Sequence, residues 1–357
     1  MDALSAHTKM GMQARDRAHA GGLSRRIKNN RSAATVLLAL ASILLASDPA
    51  LAQQRAVADT YPSRPIRMIV DFSAGGLSDT MVRAVAPKMS EALGQPIVMD
   101  NRPGASGALA YGIVAKALPD GHTLVTLSTG FSLNLNLVSR LPFDTLRDFV
   151  PVGLIGTTPN VLAVNPKTAK TVAELIAFVK ARPGTTNAAS TGIGSTPHLT
   201  LELFKRAAGI DPTHVPFNGS APALTDLIGG RVDFMFVNLP ASIGHIKGGR
   251  IVALAVGSEQ RTALLSDVPT MQEAGFKGFR SVSWAGIGAP TGLPKPVLAR
   301  LSRELIAALE QPEVRDRITA AGGEPRSTTP EQFRAFIDDE IKRWARVIKD
   351  AGIRVEG

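Results

Sequence analysis

An apolar strand-like run that meets a glycine pair and turns at once into a helix-like run constrains this chain most. Residues 66–80 (IRMIVDFSAGGLSDT) have that form, and residues 187–198 (NAASTGIGSTPH) repeat it with other small residues. Glycine at such a junction allows the tight turn that joins a buried strand to a helix. The start of a helix carries unpaired backbone N–H groups and a partial positive charge, so each passage can also hold an anion. Two such passages in one chain suggest a ligand with anionic character.

The alternation continues. Residues 66–72 read as a buried parallel strand and 79–93 as a helix with apolar residues at helical spacing. Strand 97–101, helix 106–118 and strand 122–128 follow, with Pro119-Asp120-Gly121 as the turn before the last. A Pro- and Asn-rich connection leads to strands 150–155 and 161–165. The pattern then restarts with helix 172–181, where Thr171 is the N-cap and Glu174 completes a capping box. Strand 186–189 and helix 196–208 come next, with Pro197 in the helix's first turn. Strands 213–216, 233–237, 251–256 and 283–289 are interleaved with short helices 221–228 and 242–247. Helices fill 295–351, broken near Gln311-Pro312 and Gly322-Gly323. Such alternation implies mainly parallel sheets covered by helices, and 357 residues suit two α/β lobes. A ligand then belongs at the carboxyl ends of the strands, between the lobes. Crossings between lobes are expected near 153–160 and 278–282.

The N-terminus does not belong to that fold. Arg25, Arg26, Lys28 and Arg31 precede the apolar run 33–46, and Ala50-Leu51-Ala52 supplies small residues at the positions a signal peptidase reads. Residues 1–52 therefore read as a secretory signal peptide, cleaved after Ala52. No other apolar run is long enough to span a bilayer. The chain has no cysteine, which removes disulfides, thiolate metal sites, cysteine nucleophiles and a lipoprotein anchor. A freely diffusing periplasmic protein is expected. Residues 1–52 carry seven Lys/Arg and three Asp/Glu, which leaves +6 of the +10 net charge on the rest. The densest basic group, Lys342, Arg343, Arg346 and Lys349, sits beside Asp338, Asp339 and Glu340 and reads as a solvated helix face. With two Tyr and two Trp there is no basic–aromatic interleaving, so nucleic acid is not an expected partner.

Several chemistries find no support. Neither the G-x-G-x-x-G nor the G-x-x-x-x-G-K-[ST] pattern occurs, so no nucleotide cofactor is expected. His122, His198, His214 and His245 are not spaced for a metal, and HExxH is absent. Ser195 and His198 lie on one helix, which raises serine hydrolysis as a competing reading. No G-x-S-x-G elbow supports it. Ser195 is better placed to offer its hydroxyl and N–H to a carboxylate, with His198 packed near the helix base. Asp79 can cap its helix or contact a ligand. Asp71 ends a buried strand beside an anion site, where a hydrogen bond to nearby backbone is expected ahead of contact with a ligand amine. Trp284 either lines the cleft or supports the crossing between lobes.

The ordered motifs resemble the substrate-binding receptors of tripartite tricarboxylate transporters, the Bug-type receptors. They are Tyr61-Pro62-Ser63-Arg64-Pro65-Ile66, Gly75-Gly76 with Asp79, Asn101-Arg102-Pro103-Gly104-Ala105, Leu141-Pro142-Phe143-Asp144, Gly192-x-Gly194-Ser195-x-x-His198-Leu199, His214-Val215-Pro216, Gly219-x-Ala221-Pro222-Ala223, Asp267-Val268-Pro269-Thr270 and Trp284-x-Gly286. The resemblance implies a two-lobed α/β type II periplasmic-binding-protein fold. Lobe 1 would hold 53–157 and 281–357, and lobe 2 would hold 158–280. It also implies a non-enzymatic monomer that takes a di- or tricarboxylate, an acidic amino acid or an aromatic acid to a membrane permease. A ligand sensor for a membrane signalling protein is the nearest competing role. The matching contact positions are Phe72, Ser73, Ala74, Gly75, Gly76, Ser78 and Asp79 in the first lobe, with Ser128 and Thr129 after its third strand. In the second lobe they are Ser190, Thr191, Gly192, Gly194, Ser195 and His198, with Phe217, Gly219 and Asn238.

This chain departs from the family pattern at its jaws. The usual Pro-Phe-x-Pro-Gly-Gly is Asp71-Phe72-Ser73-Ala74-Gly75-Gly76 here, without either proline. The usual Tyr-Lys-Gly-Gly is Phe217-Asn218-Gly219-Ser220, and Val237 replaces an aspartate before Asn238. Ligand preference should therefore be this chain's own.

Overall fold

The computed structural model divides the chain into residues 1–59 and residues 60–357, and it describes residues 61–138 and 140–353. The expected signal peptide and cleavage site lie outside the described residues. Among the described residues no helix is long and apolar enough to cross a membrane.

The strands are β1 (Ile66–Val70), β2 (Ile97–Asn101), β3 (Thr123–Ser128), β4 (Phe149–Val164), β5 (Asn187–Ser190), β6 (Thr213–Pro216), β7 (Phe234–Asn238), β8 (Val252–Val256), β9 (Val282–Pro290) and β10 (Glu324–Pro325). The α-helices are α1 (Leu77–Leu93), α2 (Ala108–Val114), α3 (Thr129–Leu137), α4 (Val172–Lys180), α5 (Thr196–Ala208), α6 (Ser220–Ile228), α7 (Leu239–Lys247), α8 (Lys295–Glu310), α9 (Pro312–Ala320) and α10 (Pro330–Ala351). The sheet runs β2-β1-β3-β9-β4-β7-β5-β6, with β8 and β10 also on β4. β1 is parallel to β2 and β3, and β5 to β6 and β7, as the strand–helix alternation requires. β4 and β9 are antiparallel to their neighbours, so the sheet is mixed.

β4 is one strand of sixteen residues where two were expected. Gly156 falls in the expected gap and Gly153 within the first expected strand, and each is a point of close approach. A Cβ on Gly153 would lie 2.9 Å from Leu305 Cδ2, and one on Gly156 would lie 2.6 Å from the Glu324 carbonyl oxygen. Register shifts beside them bend the strand without ending it. Phe149 to Pro159 pair with β9, and Asn160 to Val164 pair with β7 and β8. The change of partner falls at Asn160. Its N–H donates to the Ser281 carbonyl (3.1 Å), and its own carbonyl accepts from Gly257 N–H (2.8 Å). Its Nδ2 donates to Ser281 Oγ at 2.7 Å. One buried polar residue of β4 thus ties together the segments at Gly257 and Ser281.

α3 also departs from expectation, which placed a connection there. Its residues 131–137 (FSLNLNL) alternate with period two, and Phe131, Ser132, Leu133, Asn134 and Leu137 are all buried. A helix covered on most sides leaves no amphipathic stripe to read.

The C-terminal helices serve both halves. α8 and α9 place Leu301, Leu305, Val314 and Ile318 in one core with Met81, Val85 and Met89 of α1. α10 starts with a capping box between Thr329 and Gln332. Its Phe333 meets the fully buried Trp284 edge to face at 5.6 Å. Further along, Trp344, Val347 and Ile348 pack with Leu133 and Leu137 of α3 and Leu199 of α5. The expected solvated face of α10 holds for Lys342, Arg346 and Lys349, which are exposed. It fails for Arg343 and Glu340. Glu340 is fully buried, accepts from Arg280 at 2.8 Å and Arg343 at 2.5 Å, and takes Trp344 Nε1–H at 3.1 Å. A carboxylate buried this deeply needs both oxygens hydrogen-bonded.

Candidate functional site

β1 delivers the chain to Asp71, a buried carboxylate with no cation against it. Tyr111 Oη donates to its Oδ2 at 2.5 Å and Thr126 Oγ1 to its Oδ1 at 2.7 Å. Its own N–H donates to Thr126 Oγ1 at 3.0 Å. Side-chain hydroxyls therefore take the role expected of backbone. Burial pushes the Asp71 carboxyl up, against the hydroxyl bonds that favour its ionised form. The Ser78 hydroxyl is buried beside it without completing a hydrogen bond.

Beyond Asp71 the loop is exposed from Phe72 to Gly75. Gly75 takes φ of 79°, a conformation that favours glycine. Asp79 holds this loop from behind. Its Oδ2 accepts Gly75 N–H at 2.9 Å, and its Oδ1 accepts from Arg83 at 2.8 Å and Asn101 Nδ2 at 2.9 Å. Asn101 Nδ2 also donates to the Phe72 carbonyl at 2.9 Å. Burial opposes ionisation of Asp79, but the bonds from Arg83, Gly75 and Asn101 hold its carboxyl below the usual range. Its carboxylate is committed to the loop.

The second passage is laced to itself. Ser195 Oγ donates to the Gly192 carbonyl at 2.7 Å and accepts His198 N–H at 3.3 Å, capping α5. Gly194 N–H donates to His198 Nδ1 at 3.1 Å, and Ser195 N–H to the Gly192 carbonyl at 3.2 Å. The His198 ring stacks on His214 at 4.1 Å and 8°, and His214 Nε2 meets Ser190 Oγ at 2.7 Å. Burial, with His214 and Lys205 nearby, lowers His198 to about 4. Ser195 Oγ donates to a carbonyl and His198 Nδ1 receives an amide, so these two do not form the nucleophile–base pair of a serine hydrolase.

A cavity of about 520 Å³ lies elsewhere, where three other helices begin. Gly75, Gly76, Leu77, Thr80 and Met81 bring the start of α1 to it, Ser220 the start of α6, and Asn238, Pro240, Ala241 and Ile243 the start of α7. Thr158 of β4 and the end of α9 complete its lining. None of the three helix starts has a side-chain cap. Their first-turn N–H groups are left for water or a ligand. No Asp, Glu, Lys, Arg or His is among the lining residues. By contrast, α3 is capped by Ser128, which accepts Gly130 N–H at 3.2 Å, and α5 by Ser195.

Of the residues expected to contact ligand, the cavity gathers Gly75, Gly76 and Asn238. Phe72, Ser73 and Ala74 lie on the exposed loop beside it. Ser78, Ser128 and Thr129 are buried, and Thr129 Oγ1 accepts Trp284 N–H at 3.0 Å. Ser190, Thr191 and Gly192 form the laced second loop with Gly194, Ser195 and His198. Phe217 and Gly219 tie to it, donating N–H groups to the carbonyls of Ser190 (3.0 Å) and Thr191 (3.2 Å). The cavity is also lined by residues that the sequence reading did not name as contacts, among them Thr158, Ser220, Pro240, Ile318 and Gly323. Only Ser220 had a local signal, a small polar residue at a strand-to-helix passage.

Residues 81–353 match the model of the tripartite tricarboxylate transporter family receptor, TctC. Protein BugT of Bordetella pertussis is 39% identical over 325 residues, which cover 90% of this chain and 99% of that protein. An R. palustris protein solved with adipate superposes with a TM-score of 0.74 at 37% identity, covering 83% of this chain and 100% of the other. MatC from Rhodopseudomonas palustris, solved with bound malate, gives 0.69 at 33% identity, covering 81% and 100%. The architecture is accordingly the two-lobed α/β type II fold of periplasmic binding proteins. The chain belongs to the tripartite tricarboxylate transporter family of solute-binding receptors.

Proposed function

We propose that this receptor captures a small organic carboxylate in the cavity at the starts of α1, α6 and α7, and delivers it to a tripartite-type membrane permease. The carrying observation is the convergence of three helix starts without side-chain caps on one cavity that has no charged side chain. Helix-end N–H groups give a carboxylate charge-assisted hydrogen bonds without a buried counter-ion. The ligand bridges the start of α1 and the starts of α6 and α7, so binding favours the closed arrangement of the lobes. Relatives solved with adipate and malate support the ligand class. The protein acts in the periplasm as a monomer after loss of residues 1–52, and it catalyses no reaction. Its first lobe comprises 53–157 and 281–357, and its second 158–280, with Asn160 and Ser281 near the points of crossing.

Thermal unfolding of the purified protein against di- and tricarboxylates, acidic amino acids, aromatic acids, sugars and cations tests this reading. A ligand bound to the native state raises the melting temperature. Stabilisation by at least one carboxylate class, and by no sugar or cation, is expected. Stabilisation by neutral sugars alone would overturn it. Mass spectrometry of ligand that co-purifies gives an independent answer.

A further inference from the structure

We infer that the ligand carries a hydroxyl on a carbon that bears an acid group, and that Asn238 accepts this hydroxyl and so selects hydroxy acids over their bare counterparts. This rests on the carboxylate reading of the cavity and adds a substrate class to it.

Asn238 lines the cavity and is half-buried, so a ligand can reach its side chain. A chain of hydrogen bonds behind it decides which end of its amide faces that ligand. The chain starts at a backbone carbonyl, which can only accept. Thr200 Oγ1 donates to the Thr196 carbonyl at 2.6 Å, which spends the one proton of that hydroxyl. The bond between Thr200 Oγ1 and Ser281 Oγ then takes its proton from Ser281. Ser281 Oγ is left to accept, and Asn160 Nδ2 donates to it at 2.7 Å. That makes Asn160 Oδ1 an acceptor, and Asn238 Nδ2 donates to it at 3.1 Å. The second proton of Asn238 Nδ2 goes to Ser283 Oγ at 2.8 Å. Turning the Asn238 amide over would set its Oδ1 against Asn160 Oδ1, two acceptors face to face.

The amide nitrogen is thus spent on β4 and β9, and Oδ1 is the end left over. It caps no N–H of α7 and is not shut inside the protein, so it opens on the cavity. Thr80 and Ser220 line the cavity too, but a hydroxyl serves as donor or acceptor and imposes no choice on the ligand. The Asn238 carbonyl can only accept. An acid group against it would set oxygen on oxygen, and a methylene would cover it without a partner. A hydroxyl satisfies it. Placed on the carbon that bears an acid group, the hydroxyl also lets that group reach the N–H groups where α7 begins. An ammonium would donate as well, yet the surrounding helix starts repel positive charge, and no Asp or Glu is among the lining residues to pair with it. A site built to bond a hydroxyl rejects the analogue that lacks one, because the acceptor is then covered and unpaired.

Calorimetric titration of the purified protein with matched pairs tests this. The pairs are malate and succinate, 2-hydroxyglutarate and glutarate, and citrate and tricarballylate, with aspartate and glutamate as the ammonium-bearing arm. In the pair that holds the tightest binder, the hydroxylated member is expected to be at least about tenfold tighter. A smaller or reversed ratio overturns the inference and leaves the carboxylate reading standing. Aspartate or glutamate binding tighter than the matching hydroxy acid overturns it in the same way. Asn238→Leu removes the acceptor and is expected to bring the ratio below about threefold. If that variant does not fold, Ser281→Ala decides with the same expectation, because it frees the Asn160 amide, and with it that of Asn238, to turn over. A variant that is merely less stable lowers both affinities and leaves the ratio unchanged, and that result removes the role given to Asn238. If none of these acids binds, the inference falls. The carboxylate reading then falls with it unless another acid class raises the melting temperature in the thermal screen.

Discussion

The starts of α1 and α5 look alike in sequence and differ in what their N–H groups do. Each follows a strand through glycines, and each has a polar residue within its first turns. At α5 the Ser195 hydroxyl and the His198 ring accept N–H groups of His198 and Gly194, so the loop is closed on itself. At α1 the acceptor is Asp79, which takes only Gly75 N–H and spends its other oxygen on Arg83 and Asn101. The N-cap there is Gly76, with no side chain to offer. α6 and α7 follow the second pattern, from Gly219 and Asn238. A glycine-rich helix start is an anion site only when no neighbouring side chain fills it first.

The largest expected effect comes from placing a charge at an uncapped start. Ser220→Asp should raise the Kd for a bound carboxylate by at least about a hundredfold, or ~2.7 kcal/mol. The same change should leave stability unchanged or raised by about 0.5 kcal/mol, because an acidic residue suits a helix N-terminus. Ser220→Asn is the neutral control and should stay within about tenfold of the parent. Equal affinity in the Asp variant, read by calorimetry, would take α6 out of the site.

Asp79→Ala sharpens the comparison from the other side. It strands Gly75 N–H, Arg83 and Asn101 at once, and should cost roughly 2–3 kcal/mol in denaturant unfolding. Affinity should fall about tenfold as the loop loses its backing, a smaller loss than at Ser220. A larger loss of affinity than of stability would mean that Asp79 touches the ligand.

The laced start carries its own acid sensitivity. His198 titrates at about 4 in the fold against 6.5 for an ordinary histidine. Between those values the unfolded chain holds a proton that the native state refuses. Stability is therefore complete above 6.5 and lost as pH falls toward 4, by at most about 3 kcal/mol. His198→Asn keeps an acceptor for Gly194 N–H and removes the titration, so melting curves from pH 7 to pH 4 should be flatter than the parent's. An unchanged pH slope would place the sensitivity elsewhere.

Ser195→Ala should have the smallest effect. Loss of an N-cap costs about 1 kcal/mol of stability, and carboxylate affinity should change by less than about threefold. If it instead abolished binding while Ser220→Asp did not, the contrast between the two kinds of helix start would be reversed.

Much of the fold was legible because its signals are local. Helix 196–208, read with Pro197 in its first turn, has those bounds in the structure, because proline's preference for a first turn is local. β1 was readable as a run buried on both faces. α3 was not, because a helix buried on most sides, with Leu135 on its open side, has no clear polar stripe. β4 was divided in two at residues 156–160, and the partner that keeps the chain extended there, Glu324–Pro325, lies far along the sequence. The site divides in the same way. Of the cavity's lining, Gly75 and Gly76 carried a signal in their own turn and Asn238 came from the resemblance, whereas Ile318 carried no sign of the cavity.

The sequence by itself determined that strands feed helices through glycine turns, that thiol chemistry is absent, and which family the motifs resemble. Those properties depend on residue type and near neighbours. Only the tertiary structure decided which helix starts stay open. That choice turns on whether a hydroxyl, carboxylate or imidazole reaches the first-turn N–H groups, and on which distant side chains wall the space in front of them. Both depend on packing between segments far apart in the chain, where hydrogen-bond geometry allows or forbids a partner within a few tenths of an ångström.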